Sequence, residues 1–173
     1  MYAKELIIPE NVNVEPSGNK VKVSGPKGSL EREFQLNEIK IEKKENKIIV
    51  SSELEKRKIK ALVGTTAAHI KNLVDGVTKG FTYKLKVIFS HFPVQLKVEK
   101  DKVFFLNFLG EKTPRAAKIA GKTEVKVDGQ DITVTGINLE DVGQTASNLE
   151  LATRRTGYDK KVFQDGCYIC SRE

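Results

Sequence analysis

Val63-Gly64-Thr65-Thr66-Ala67 and Val142-Gly143-Gln144-Thr145-Ala146 are two versions of one pentapeptide, one in each half of a 173-residue chain. Each sits in a stretch whose apolar residues recur at helical spacing. Upstream of both, the same fragments recur in the same order. Pro9-Glu10-Asn11-Val12-Asn13-Val14 matches Pro93-Val94-Gln95-Leu96-Lys97-Val98. Ile39-Lys40-Ile41 followed by Ile48-Ile49-Val50 matches Val125-Lys126-Val127 followed by Ile132-Thr133-Val134. A repeat fixes the domain count before any single element is assigned. Two related domains follow, residues 1–81 and 82–173, each reading strand, hairpin, hairpin, helix.

The strands alternate apolar and polar residues, as in Val21-Lys22-Val23 and Val125-Lys126-Val127, which suits antiparallel sheets with one face in a core. In the first domain Ile59, Leu62, Val63, Thr66, Ile70, Leu73 and Val74 trace a helical stripe, and Gly76 is placed to end it. In the second, Asn138 is a good N-cap with Asp141 three residues on; Leu139, Val142, Ala146 and Leu149 form the stripe, and Gly157 is placed to terminate it. Turns are expected at Pro16 to Asn19, at Gly25-Pro26-Lys27-Gly28 and at Lys100-Asp101. The expected fold class is α+β, with two tandem related domains, each an antiparallel β-sheet packed on one long α-helix.

The chain carries 30 Lys and Arg against 23 Asp and Glu, a net charge of +7, which points toward a polyanionic partner. Net charge does not choose a domain: residues 1–80 hold 15 basic and 11 acidic side chains, the remainder 15 and 12. Arginine does. Arg115, Arg154, Arg155 and Arg172 lie in the second half against Arg32 and Arg57 in the first, and the planar, always charged guanidinium is the better phosphate fork. Two clusters stand out. Residues 110–122, read as a long connection between hairpins, hold Lys112, Arg115, Lys118 and Lys122. The tail leaving the second helix holds Arg154, Arg155, Lys160 and Lys161, with Tyr158 able to stack on a base or to pack at the helix end. Together these nine residues form the candidate RNA-binding set. Lys27, in its tight turn, is a weaker candidate, and the lysines at 40, 43, 44 and 47, interleaved with Glu42 and Glu45, read as a solvated hairpin.

Other chemistry is poorly supported. Gly121-Lys122-Thr123 resembles the end of a phosphate-binding loop, but the first glycine of that pattern is replaced by Ala116, and Lys122 leads into a strand rather than a helix. Cys167 and Cys170, in an extended Cys-Tyr-Ile-Cys, make at most half a zinc site and read as reduced thiols. Ser90 and His91 are neighbours with no evident orienting carboxylate, and are better read as shaping the chain ahead of Pro93. No apolar run reaches membrane length, and Met1 to Val12 lacks the order of a signal peptide. No enzyme, cofactor, metal, membrane or small-molecule substrate is expected.

Gly64-Thr65-Thr66 with Ile70, Asn72 and Val74, Gly76-Val77-Thr78-Lys79-Gly80-Phe81, Gly25-Pro26-Lys27-Gly28, Ser90-His91-Phe92-Pro93 and Gly136-Ile137-Asn138 through Gln144 resemble, in this order of domains, the large-subunit ribosomal protein six family. Asn107-Phe108-Leu109-Gly110-Glu111-Lys112 and Val162-Phe163-Gln164-Asp165-Gly166 are similar to its archaeal and eukaryotic branch, whereas bacterial members carry a more glycine-rich basic tail. The resemblance implies a cytoplasmic, RNA-binding structural protein of the large ribosomal subunit. It also implies that the second domain contacts 23S-type ribosomal RNA near the sarcin-ricin loop and the translation-factor region, with other large-subunit proteins as neighbours.

Overall fold

A computed structural model of the chain describes residues 2–34, 38–44, 47–54, 56–89, 91–159 and 161–173. The chain divides into two compact units, residues 1–80 and 81–173. The first contains β1 (Tyr2–Ile7), β2 (Asn13–Ser17), β3 (Lys20–Gly25), β4 (Gly28–Glu33), β5 (Lys40–Lys44), β6 (Lys47–Ser52) and α1 (Arg57–Thr78). The second contains β7 (Phe81–Ile88), β8 (Gln95–Val98), β9 (Lys102–Leu106), β10 (Arg115–Lys118), β11 (Glu124–Asp128), β12 (Asp131–Gly136), α2 (Leu139–Ala152) and β13 (Gly166–Arg172).

Among the described residues the architecture is α+β, with antiparallel sheets and two α-helices. In the first unit the sheets run β1-β6-β5 and β2-β3-β4; in the second they run β11-β12-β7-β13 and β10-β9-β8. β7 therefore repeats β1, β8 to β10 repeat β2 to β4, and β11 and β12 repeat β5 and β6. Among the described residues β13 has no counterpart; it pairs with the free side of β7 and contains the Cys-Tyr-Ile-Cys stretch. Alternation dictates which side chains turn inward. Val21 and Val23 of β3, and Ile48 and Val50 of β6, are at most 1% exposed and meet Val63, Ala67 and Ile70 of α1 in one core. Leu85, Val87, Ile132 and Val134 meet Val142, Ala146 and Leu149 of α2 in the other.

The helices differ from the sequence reading at their ends. α1 runs through Gly76, which is buried, and stops at Thr78. There the Thr78 hydroxyl donates to the carbonyls of Val74 and Asp75, both at 2.9 Å, and Gly80 takes the left-handed turn at φ 75°. Leu62, on the margin of the apolar stripe, is 42% exposed. α2 is capped as its sequence suggests: the Asn138 side chain accepts from the Glu140 N–H, with Glu140 and Asp141 in the positively polarised first turn. It ends at Ala152, where the Thr153 hydroxyl donates to the Glu150 carbonyl at 3.1 Å, well before Gly157.

The β3–β4 turn shows why Gly25 and Lys27 are needed. A Cβ on residue 25 would lie 2.7 Å from a Val77 methyl, and the Lys27 N–H donates to the Val77 carbonyl at 3.0 Å. The Lys27 ammonium reaches the Lys79 carbonyl, so this lysine sits at the negative end of α1. Gly25→Ala is expected to overpack that turn and lower stability by about 1–3 kcal/mol, read by denaturant unfolding. The hairpin lysines are partnered too: Lys40 pairs with Glu53 at 2.7 Å, Lys47 with Glu5 at 3.1 Å, and Lys43 donates to the Asn13 side chain. Lys44 is exposed, and Glu45 lies outside the described residues.

Both cysteines are free thiols in β13, Cys167 buried and Cys170 exposed. Burial pushes the Cys167 thiol up to about 12, with Glu150 and then Cys170 adding to the shift. At neutral pH one thiol per native chain is therefore expected to react with a disulfide reagent, and the second only on unfolding.

Candidate nucleic-acid interface

The segment from residue 110 to 122 is more structured than a loop. Phe108–Gly110 forms one 3-10 turn, and β10 pairs antiparallel with β9, setting Arg115 opposite Phe105 and Lys118 opposite Lys102. The sequence gives little sign of this strand, because its inward residue is only Ala117, a weak strand former.

Beyond β10 the chain is bonded along the side of α2. The Asn148 amide donates to the Lys118 carbonyl at 2.8 Å, and the Ala120 N–H donates to the Thr145 hydroxyl at 2.9 Å. Thr123 then bonds back to the Ala120 carbonyl at 2.7 Å. Gly121 has φ 55°, the left-handed region that favours glycine, and a Cβ there would fall 2.1 Å from an Asp141 carboxylate oxygen, so that carboxylate would have to move aside. Lys122 follows directly and is exposed, as are Lys118 and Lys112. β11 begins at Glu124, so no helix opens after this lysine to cradle a nucleotide phosphate.

Arg115 has a different role from these lysines. Its Nε and one terminal nitrogen donate to the two Glu111 carboxylate oxygens, at 2.8 and 2.5 Å. The other terminal nitrogen donates to the carbonyls of Arg154, at 2.9 Å, and Ala152, at 3.2 Å. The guanidinium also lies 4.6 Å from the Phe108 ring centroid. Arg115 is thus a clamp on the C-terminal end of α2, with its fork already committed. The same hydrogen bonds hold the Glu111 carboxyl below the usual carboxylate range and raise the arginine.

The tail behind α2 divides in the same way. Arg155 donates to the Tyr168 hydroxyl at 2.7 Å and to the Phe163 carbonyl, fastening the tail to β13. Tyr158 meets Phe163 edge-on with ring centroids 5.0 Å apart, and Phe163 lies 4.5 Å from the His91 ring. His91 Nδ1 is 3.2 Å from a carboxylate oxygen of buried Asp165. A carboxylate does accompany this histidine, then, but it comes from far along the chain and anchors the aromatic cluster. Tyr158 remains 42% exposed on that cluster's rim. Arg154 is exposed, and among the described residues its side chain makes no hydrogen bond or ion pair. Lys161 is exposed while its N–H turns onto Asp159 at 2.9 Å. Lys160 and Ser90 lie outside the described residues.

Lys118 and Lys122 therefore stand on the segment bonded to the side of α2, and Arg154 at its C-terminal exit, where the Arg115 clamp joins the two stretches. Among the described residues no group of three or more His, Cys, Asp or Glu could hold a metal, and no helix is long and apolar enough to cross a membrane.

The model of the family described as Ribosomal protein L6 matches residues 8–80 and again residues 92–166, once in each unit. The chain belongs to the ribosomal protein L6 family. "Large ribosomal subunit protein uL6" of Staphylothermus marinus is 53% identical over 170 residues, covering 96% of this chain and 92% of that protein. The proteins of the same name from Ignicoccus hospitalis and Methanobrevibacter smithii are 50% and 48% identical; they cover 96% and 98% of this chain, and it covers 92% and 96% of them. These relatives are archaeal, in keeping with the branch suggested by Asn107 to Lys112. The family is a structural, non-enzymatic one.

Proposed function

We propose that this protein is a structural constituent of the large ribosomal subunit in the cytoplasm, binding large-subunit ribosomal RNA mainly through its second unit. The observation that carries the reading is the L6 match in both halves, joined to near-full-length similarity to proteins named for the large subunit. The geometry supplies candidate contacts. Lys112, Lys118, Lys122, Arg154 and Lys161 present exposed charges on short, anchored segments. Such segments can follow an irregular phosphate path, and they favour recognition of RNA shape and backbone over a base-by-base code. Arg115 and Arg155 act one step back, fixing the segments that carry these charges. Tyr158 offers an exposed ring edge beside them.

The RNA partner in this reading is the region near the sarcin-ricin loop and the translation-factor site, with other large-subunit proteins as neighbours, as the family resemblance implies. Binding to large-subunit RNA should fall steeply with salt: four to six neutralised phosphates give a log-log slope of roughly −3 to −5. Fluorescence anisotropy against intact large-subunit RNA at several salt concentrations measures it. Absent or salt-insensitive binding would overturn the reading, as would failure of the protein to co-sediment with large subunits after a high-salt wash.

A further inference from the structure

We propose that the cleft between the end of α2 and the start of β13 seats one unpaired RNA base, guanine in preference to the others; this rests on the RNA-binding reading above. The cleft encloses about 270 Å³, and its walls include Glu150, Leu151, Arg154, Arg155, Cys167 and Tyr168. That volume lies just under the ~300 Å³ at which sites for drug-sized molecules begin, a size suited to one flat ring system with its sugar outside.

The walls are fixed before any ligand arrives. The Cys167 N–H donates to the Thr153 hydroxyl at 2.8 Å, tying the strand to the helix exit. Arg155 is held against Tyr168 by a 2.7 Å hydrogen bond, with its guanidinium 5.9 Å from the ring centroid. Buried Cys167 adds an apolar surface, and Leu151 is 60% exposed at the rim. Around this apolar patch stand an exposed carboxylate, Glu150, and an exposed guanidinium, Arg154, neither with a hydrogen-bond or ion-pair partner among the described residues.

That combination selects a ligand class. A simple anion would face Glu150, a simple cation would face two arginines, and an aliphatic group would leave both signs of charge unanswered. A nucleotide answers all three, with an apolar ring for Leu151 and Tyr168, a phosphate for Arg154 and an N–H-bearing edge for Glu150. Guanine offers two adjacent donors, its ring N–H and exocyclic amine, to the two carboxylate oxygens. Adenine and cytosine set one amine beside an acceptor, and uracil sets one N–H between two carbonyls.

The test titrates the full-length ¹⁵N-labelled chain with GMP, IMP, AMP, UMP and inorganic phosphate, and follows amide shifts by NMR. GMP is expected to move the signals of residues 150–155 and 166–168, and to bind at least about tenfold more tightly than IMP, which lacks the exocyclic amine. Glu150→Gln should erase that preference while the chain stays folded. Equal binding of all the nucleotides, shifts matched by phosphate alone, or shifts elsewhere on the protein would each overturn the assignment. Large-subunit RNA is titrated in parallel. Salt-dependent RNA binding without any GMP response removes only the base cleft, whereas loss of RNA binding altogether removes the broader reading as well.

Discussion

Replacing Lys112, Lys118, Lys122, Arg154 and Lys161 together by glutamine is expected to weaken binding to large-subunit RNA by at least ~100-fold at about 0.1 M salt, while far-UV circular dichroism stays unchanged. None of these five side chains contributes a hydrogen bond or ion pair to the fold among the described residues, and all are exposed. Their removal should therefore act on the partner alone. The diagnostic quantity is the salt slope, which should flatten by roughly 1 for each phosphate that the variant no longer neutralises. A variant that keeps the wild-type slope and enters large subunits equally well would remove these residues from the interface. Arg155→Gln gives a useful contrast. It severs the tail from Tyr168, so any loss of binding should come with altered signals from β13.

Much of this arrangement could be read from residues close in sequence. The duplicated fragments, the alternating strands and the Asn138 cap are local patterns, and each half repeats them in the same order. What escaped reading depends on distant atoms. Gly76 looks like a helix stop, yet the stop is made two residues later by a Thr78 hydroxyl and completed by Gly80. Gly157 has the left-handed angle expected of a terminator, at φ 83°, but α2 has already ended at Ala152. The Cys-Tyr-Ile-Cys stretch reads as extended chain, while its pairing with β7 is a tertiary fact that no local pattern contains. The candidate charges divide for the same reason. Sequence sees eight cations and a tyrosine; only the fold shows that Arg115 and Arg155 already donate to carbonyls, a carboxylate and a phenol within the chain.

The same distinction yields the largest expected stability effect, at Arg115. Arg115→Gln should lower the stability of the second unit by about 2–4 kcal/mol. The change removes both hydrogen bonds to the Glu111 carboxylate, itself 36% exposed, and those to two carbonyls at the end of α2, together with the packing of an arginine side chain only 22% exposed. For a unit of this size that corresponds to a midpoint lower by roughly 10–20 °C in thermal unfolding. Arg115→Lys should rescue little, because a single ammonium cannot meet the carboxylate and both carbonyls at once. Acid provides an independent reading of the same clamp. Glu111 is held below its usual range in the folded chain, so its contribution is complete above the unfolded carboxylate value and is lost as pH falls through the lower folded one. Wild type should accordingly lose stability across that acid window more steeply than Glu111→Gln, and Arg115→Gln should lose the difference. Were Arg115 instead a phosphate fork with no structural duty, its replacement would leave both the melting midpoint and the acid limb where they stand, and only the RNA affinity would move.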